Sequence, residues 1–114
     1  MKILIVEDNA RMRQALKSFL ADWATEFIEC ADGAAAQAAY AACQPDVVLM
    51  DVELPELDGI SATRQITAAD PAARVIIVTN YDHTGLRDAA RQAGSCGYVL
   101  KENLLDLRKL LLGV

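Results

Sequence analysis

The chain has 114 residues, 54% of them apolar, and a formal net charge of -5. That length supports one domain with its own hydrophobic core, and that apolar content argues against disorder. The acidic balance argues against direct nucleic-acid contact by this segment, and no window is long and apolar enough to read as a membrane span. Ile3 to Val6 is a short, branched apolar run of the kind that suits a parallel strand covered on both faces. Glu7-Asp8-Asn9 follows with good helix caps, and Met12, Ala15, Leu16, Phe19, Leu20 and Trp23 recur at helical spacing. The pattern then repeats. Thr25 to Cys30 reads as a weaker strand, and the alanine-rich stretch from Ala34 to Cys43 as its helix, stopped by Pro45. Asp46 to Met50 is the third strand and Gly59 to Ala69 its helix, with Asp58 as a cap or turn group before it and Asp70-Pro71 closing it. Arg74 to Val78 is the fourth strand. Leu86, Ala89, Ala90 and Ala93 mark one face of a helix that opens near His83 and that Gly94 caps. Gly97 to Leu100 is the fifth strand, and a last helix starts near Asn103.

Five strands alternating with five helices predict an α/β fold: one doubly wound parallel sheet over residues 1–114, with helices on both faces. Periodicity gives no strand order. In such sheets ligands bind beyond the carboxyl ends of the strands. The last helix is unusual, because Leu104, Leu105, Leu107, Leu110, Leu111 and Leu112 cover more than one of its faces before the chain stops at Val114. Two explanations stand: an interface on the extra face, or a longer protein cut here, and the second is preferred. Cys30, Cys43 and Cys96 are odd in number and form no CxxC pair, which suits reduced, partly buried thiols in a cytoplasmic protein. The opening residues MKILIVEDNA lack the apolar core of a signal peptide.

The residues just past the strands share one rim. They are Glu7 and Asp8 after the first strand, Asp51 after the third, Thr79 and Asn80 after the fourth, and Lys101 after the fifth. Carboxylates gathered this closely repel one another, and burying them unpaired is costly. A hard cation resolves the conflict. Mg²⁺ is the natural candidate, since it takes few protein carboxylates and shares phosphate oxygens. No cysteine or histidine falls on the rim, which speaks against zinc. A carboxylate such as Asp51 is also a recognised nucleophile toward phosphoryl groups, with Lys101 and the Thr79 hydroxyl placed to contact the transferred oxygens. Taken alone, Asp8 also reads as a helix cap, Thr79 as a turn residue, Lys101 as a solvated lysine and Tyr98 as a core-edge tyrosine. Convergence of the whole set points to a shared site.

"ILIVEDN", "VLMDVELPELDG", "VIIVTN" and "GYVLK", in that order and spacing, resemble the receiver domains of two-component response regulators along essentially the whole chain. The resemblance implies a flavodoxin-like sheet of strand order 2-1-3-4-5. It implies Asp51 as phosphoacceptor and Mg²⁺ held by Asp8 and Asp51, by Glu7 mostly through water, and by the backbone carbonyl of Glu53. Thr79 is then the switching hydroxyl, Lys101 the phosphate-pairing lysine, and Tyr98 the aromatic that packs inward on phosphorylation. The phosphoryl donor is a histidine kinase, and the domain catalyses its own Mg²⁺-dependent phosphorylation and dephosphorylation. "GYVLKENLLDLRKLL" further resembles receivers attached to helix-turn-helix output domains of the LuxR/NarL type, so DNA binding would belong to a segment outside this one, with homodimerisation through the last helices.

Some positions depart from the family pattern. Leu54 replaces a usual methionine. Asn80 replaces a very small residue and is expected to crowd the phosphoryl pocket or to slow the switch. Glu102 stands where proline, often after a cis bond, is common, and Glu53 adds an acid beside Asp51 that is expected to alter dephosphorylation. The main rival reading is a degenerate receiver that acts only as a protein-interaction module. A nucleotide-binding domain of similar architecture is disfavoured by the acidic, glycine-free loop EDNAR. A phosphatase using an aspartate nucleophile would need a general acid that only Glu53 offers, and a cap domain that this chain does not contain.

Overall fold

The structure, a computed structural model, describes residues 1–112; Gly113 and Val114, at the end of the expected last helix, lie outside the described residues. The chain runs β1 (Lys2–Val6), α1 (Ala10–Phe19), β2 (Glu26–Cys30), α2 (Ala36–Cys43), β3 (Val47–Met50), α3 (Gly59–Ala69), β4 (Val75–Thr79), α4 (Thr84–Gln92), β5 (Gly97–Leu100) and α5 (Leu105–Leu112). The strands form one sheet of order β2-β1-β3-β4-β5. Every pairing is parallel, with Ile3 beside Val47 and Val6 beside Met50 at the centre. The direction of winding reverses between β1 and β3, so their carboxyl ends flank the crevice where such sheets bind ligands.

The side-chain period of two sorts each strand onto two cores. Leu4, Val6, Val48, Met50, Val75 and Ile77 face α2, α3 and α4. Ile3, Ile5, Val47, Leu49, Ile76 and Val78 face Leu16 and Leu20 on the α1 side and Leu107 and Leu111 of α5. Strands covered on both faces explain the unbroken apolar runs, and each such buried side chain stabilises the fold by about 1.5–3 kcal/mol. β2 is an edge strand with Glu26 and Glu29 exposed, which is why its apolar signal is weak. Most of the surplus leucines on α5 are absorbed: Leu107 and Leu111 are buried and Leu104 and Leu110 pack against them, leaving Leu105 and Leu112 exposed.

β1, β2, β3 and β4 start within one residue of the sequence expectation, at Lys2, Glu26, Val47 and Val75, and β4 runs on to include Thr79, which was expected just past it; two helix starts differ by more. α2 begins at Ala36 rather than Ala34, because Asp32 accepts a hydrogen bond from the Ala35 amide at 2.8 Å and holds the preceding residues in a turn. Lys101–Asn103 forms a single 3₁₀ turn, so α5 starts at Leu105 rather than near Asn103. Gly94 closes α4 at φ 101°, the left-handed geometry expected of it. Cys30 is buried and Cys43 half-buried, but Cys96 is exposed; all are free thiols.

Candidate functional site

Glu7 and Asp51 follow the last residues of β1 and β3, and both backbones stay tied to the sheet. The Glu7 amide donates to the Cys30 carbonyl and the Asp51 amide to the Val6 carbonyl, each at 3.0 Å. The two side chains therefore leave the sheet edge in fixed directions. Both acids are almost fully buried, at 2% and 6% exposure, while Asp8 is exposed. One carboxylate oxygen from each of Glu7, Asp8 and Asp51 lies within 4.8 Å of the others. These are the three acids expected to converge.

Lys101 reaches this trio from the end of β5. Its Nζ lies 2.6 Å from Glu7 Oε1 and 3.4 Å from Asp51 Oδ2, so its nearer partner is Glu7. Burial pushes the Glu7 carboxyl up; the bonds from Lys101 and the Asn9 amide pull it back, and the Asp51 charge adds to a net rise. Burial alone would lower the Lys101 ammonium, but its bond to Glu7 and the Asp51 charge outweigh that and leave it raised. Asp51 Oδ1 accepts from the Val52 amide at 2.8 Å, Glu7 Oε2 from the Asn9 amide at 3.1 Å, and the Glu7 carbonyl from Arg13 Nη1 at 2.7 Å. An all-oxygen donor set with one cation beside it suits a hard divalent ion.

The floor of the site depends on a glycine. A Cβ on Gly59 would stand 1.8 Å from the Asp51 carbonyl oxygen, so only glycine lets α3 start this close to the acid. Asp58 caps α3 by accepting from the Ser61 amide at 2.9 Å, as its position before Gly59 suggests. The result is an open cleft of about 670 Å³ whose lining includes Glu7, Asp8, Asp51, Glu53, Asp58 and Lys101.

Thr79 ends β4 fully buried, and its Oγ1 accepts from the Tyr81 amide at 3.3 Å. Tyr98 on β5 is half-buried. Its hydroxyl donates to the Tyr81 carbonyl at 2.6 Å, and the Arg87 guanidinium lies 4.5 Å from its ring centre. Tyr81 was not singled out by sequence, yet it joins these groups to the acids: its own hydroxyl donates to Glu53 Oε1 at 2.5 Å. Its position two residues past Thr79 was the available signal. Asn80 does not line the Asp51 cleft; it lines a neighbouring groove with Arg11, Met12 and Lys101. The Lys101–Glu102 peptide is trans.

Comparison with known proteins agrees with this geometry. The family model described as "Response regulator receiver domain" matches residues 3–112. The chain is 37% identical over 101 residues to the chemotaxis protein CheY of Bacillus subtilis, covering 88% of this chain and 84% of that protein. It is 34% identical over 102 residues to CheY of Listeria monocytogenes, covering 89% and 86%. Among solved structures, a LuxR-family two-component response regulator from an Aurantimonas species superposes with a TM-score of 0.87 at 31% identity, covering 98% of this chain and 84% of that one. Family model, fold and acidic trio agree, and the chain belongs to the receiver domains of two-component response regulators.

Proposed function

We propose that Asp51 is the phosphoacceptor of this switch. Mg²⁺-dependent phosphorylation signalling is the work of the family, and the observation that carries the assignment is the meeting of Glu7, Asp8, Asp51 and Lys101 at one sheet edge. The Val52 amide holds Oδ1 of Asp51, which leaves Oδ2, beside Lys101, as the attacking oxygen. With a phosphohistidine donor, the new Oδ2–P bond forms as the N–P bond breaks and the imidazole nitrogen leaves with the electron pair. Asp8, Asp51, Glu7 and the Glu53 carbonyl would hold Mg²⁺, which supplies charge neutralisation at the transferring oxygens. Lys101 then exchanges part of its pairing with Glu7 for the phosphoryl oxygens. Thr79 and Tyr98 act as the switch, because the Tyr81 backbone joins the Thr79 hydroxyl to the Tyr98 hydroxyl.

The donor is a sensor histidine kinase, and the domain receives the phosphoryl group in the cytoplasm. Among the described residues no helix is long and apolar enough to cross a membrane. A helix-turn-helix output domain and transcriptional control would fit the likeness to LuxR-family response regulators, one of which is described as DNA-binding. Leu105 and Leu112, exposed on α5, are the groups offered to a homodimer. Intact mass after incubation with a small acyl-phosphate donor tests the assignment. One added phosphoryl group is expected with Mg²⁺, and none without it or in Asp51→Asn. A folded native chain that gains no mass would favour the degenerate receiver instead.

A further inference from the structure

The Glu7 carbonyl stands just past the end of β1, at the start of the acidic loop. It is taken by Arg13, one helical turn beyond the Asn9 cap of α1, whose Nη1 donates to it at 2.7 Å. The rest of the same guanidinium is held from the opposite side, since Nε donates to Glu29 Oε1 at 3.0 Å on the edge strand β2. Glu29 is itself pinned, with Lys17 Nζ 3.1 Å from its other oxygen. The bond from Lys17, seconded by Arg13 against a rise from burial, holds the Glu29 carboxyl below its usual range, so it is charged at neutral pH. The Arg13 side chain is 19% exposed. A surface ion pair of this kind stabilises a fold little. What sets this one apart is its aim: a planar fork, fixed at one end by two elements, grips the main chain of a residue whose side chain belongs to the acidic trio.

We propose that Arg13 is a positioning residue for the cation and phosphoryl site. It clamps the Glu7 carbonyl, with Glu29 as its anchor, so that Glu7 and Asp8 present their carboxylates in register with Asp51. This role rests on the phosphoacceptor function proposed above. The clamp acts through geometry and against its own charge. A guanidinium beside the loop repels a divalent cation, so a purely electrostatic Arg13 would weaken Mg²⁺ binding and its loss would tighten it. A positioning Arg13 gives the opposite sign.

The test is Mg²⁺ titration of the full chain, followed through backbone amide shifts of Asp8, Asp51 and Val52, with the metal-free spectrum as a second readout. In Arg13→Ala, Mg²⁺ affinity is expected to fall about tenfold, the usual scale for loss of a group that orients a metal ligand. Arg13→Lys keeps the charge without the fork and is expected to lose most of the same affinity. Lys17→Ala leaves Arg13 in place and is expected to stay within about twofold, well short of that loss. Adding Glu29→Ala is expected to lower affinity in the native background and to do nothing further beside Arg13→Ala. The metal-free spectra of the Arg13 variants should differ from native at Glu7, Asp8 and Asn9 while β4 and β5 keep their shifts. Unchanged or tighter Mg²⁺ binding in both Arg13 variants overturns the clamp. A native chain that neither binds Mg²⁺ nor gains a phosphoryl group overturns the function beneath it, and that result appears before any variant is made.

Discussion

The rim of the sheet has two halves built in different ways. On the β1 and β3 side, Glu7 and Asp51 continue the main-chain ladder, their side chains are nearly buried, and each carboxylate has a backbone donor. On the β4 and β5 side, the ladder ends at Thr79 and Leu100, and the exposed run from Asn80 to Thr84 follows. That run is tied back to the sheet and to the other half by the Tyr81 amide, the Tyr81 hydroxyl and the Tyr98 hydroxyl. The helices repeat the contrast. α3 buries Gly59, Ile60, Ala62, Thr63 and Ile66, whereas α4 fully buries Ala90 alone. Segments with few buried apolar contacts and exposed hydrogen bonds open at low free-energy cost. One half thus holds charge in fixed places while the other has the freedom to respond, which is the division of labour a phosphorylation switch requires.

A pair of glycine substitutions should break the two halves apart most clearly. Gly59→Ala drives a methyl group into the Asp51 carbonyl at 1.8 Å, where only backbone movement relieves the clash. Its expected cost is about 3 kcal/mol in urea unfolding, at the upper end of overpacking effects, with loss of most phosphoryl uptake. A Cβ on Gly85, in the first turn of α4, would meet the His83 ring nitrogen at 3.5 Å, an ordinary contact. Gly85→Ala should leave stability unchanged or raise it by about 0.5–1 kcal/mol, the helix advantage of alanine. Similar losses in the two variants would remove the distinction between a packed half and a permissive one.

A smaller effect is expected from the tyrosines. Tyr98→Phe deletes the bond to the Tyr81 carbonyl but keeps the ring beside Arg87, and Tyr81→Phe deletes the bond to Glu53. Each should cost about 0.5–1 kcal/mol, since these are single hydrogen bonds in exposed surroundings. The sharper readout is local. Amide hydrogen exchange should quicken between Asp82 and Leu86 in Tyr98→Phe while the amides of Glu7, Asp51 and Val52 keep their protection. Faster exchange spread evenly over both halves would show that they open as one unit.

Much of this contrast is readable in the sequence, for reasons that differ by residue. Ile3–Val6 and Val47–Met50 announce themselves because strands buried on both faces must be apolar throughout. That same property makes the acids after them conspicuous, so Glu7, Asp8 and Asp51 emerge from pattern alone. Strand order does not, because periodicity is blind to which strand lies beside which; it came from family resemblance. The nearer partner of Lys101 is not legible in the sequence, because Glu7 and Asp51 stand equally well placed on the rim, and only side-chain geometry separates 2.6 Å from 3.4 Å. The surroundings of Asn80 and Tyr81 are not legible either. Where each side chain points past the end of β4 depends on the path of an irregular loop, which carries no period to read. Arg13 is hidden differently: it falls within the first helix, but its acceptor is a main-chain carbonyl, which no residue type reveals.

The smallest expected effect tests whether the fixed half owes part of its order to a charge outside the acidic trio. Asp58 caps α3 through the Ser61 amide at 2.9 Å and the Ser61 hydroxyl at 2.7 Å. Burial pushes its carboxyl up, but these bonds and neighbouring amides outweigh that and hold it below the ordinary aspartate value. Asp58→Ala should cost about 1 kcal/mol at neutral pH, the usual worth of such a cap. A carboxyl that ionises more readily folded than unfolded stabilises the fold above its unfolded pKa, and that contribution disappears as the pH falls through the folded value. The gap in stability between the native chain and Asp58→Ala, measured by urea unfolding without Mg²⁺, should be full at pH 7 and shrink below roughly pH 4, near the ordinary aspartate pKa. A protonated Asp58 can still accept one of the two bonds, so a remnant of the gap should survive. A gap that held constant down to pH 3 would mean the cap works through its oxygen's position rather than its charge, and would place the electrostatics of this half wholly within Glu7, Asp8, Asp51 and Lys101.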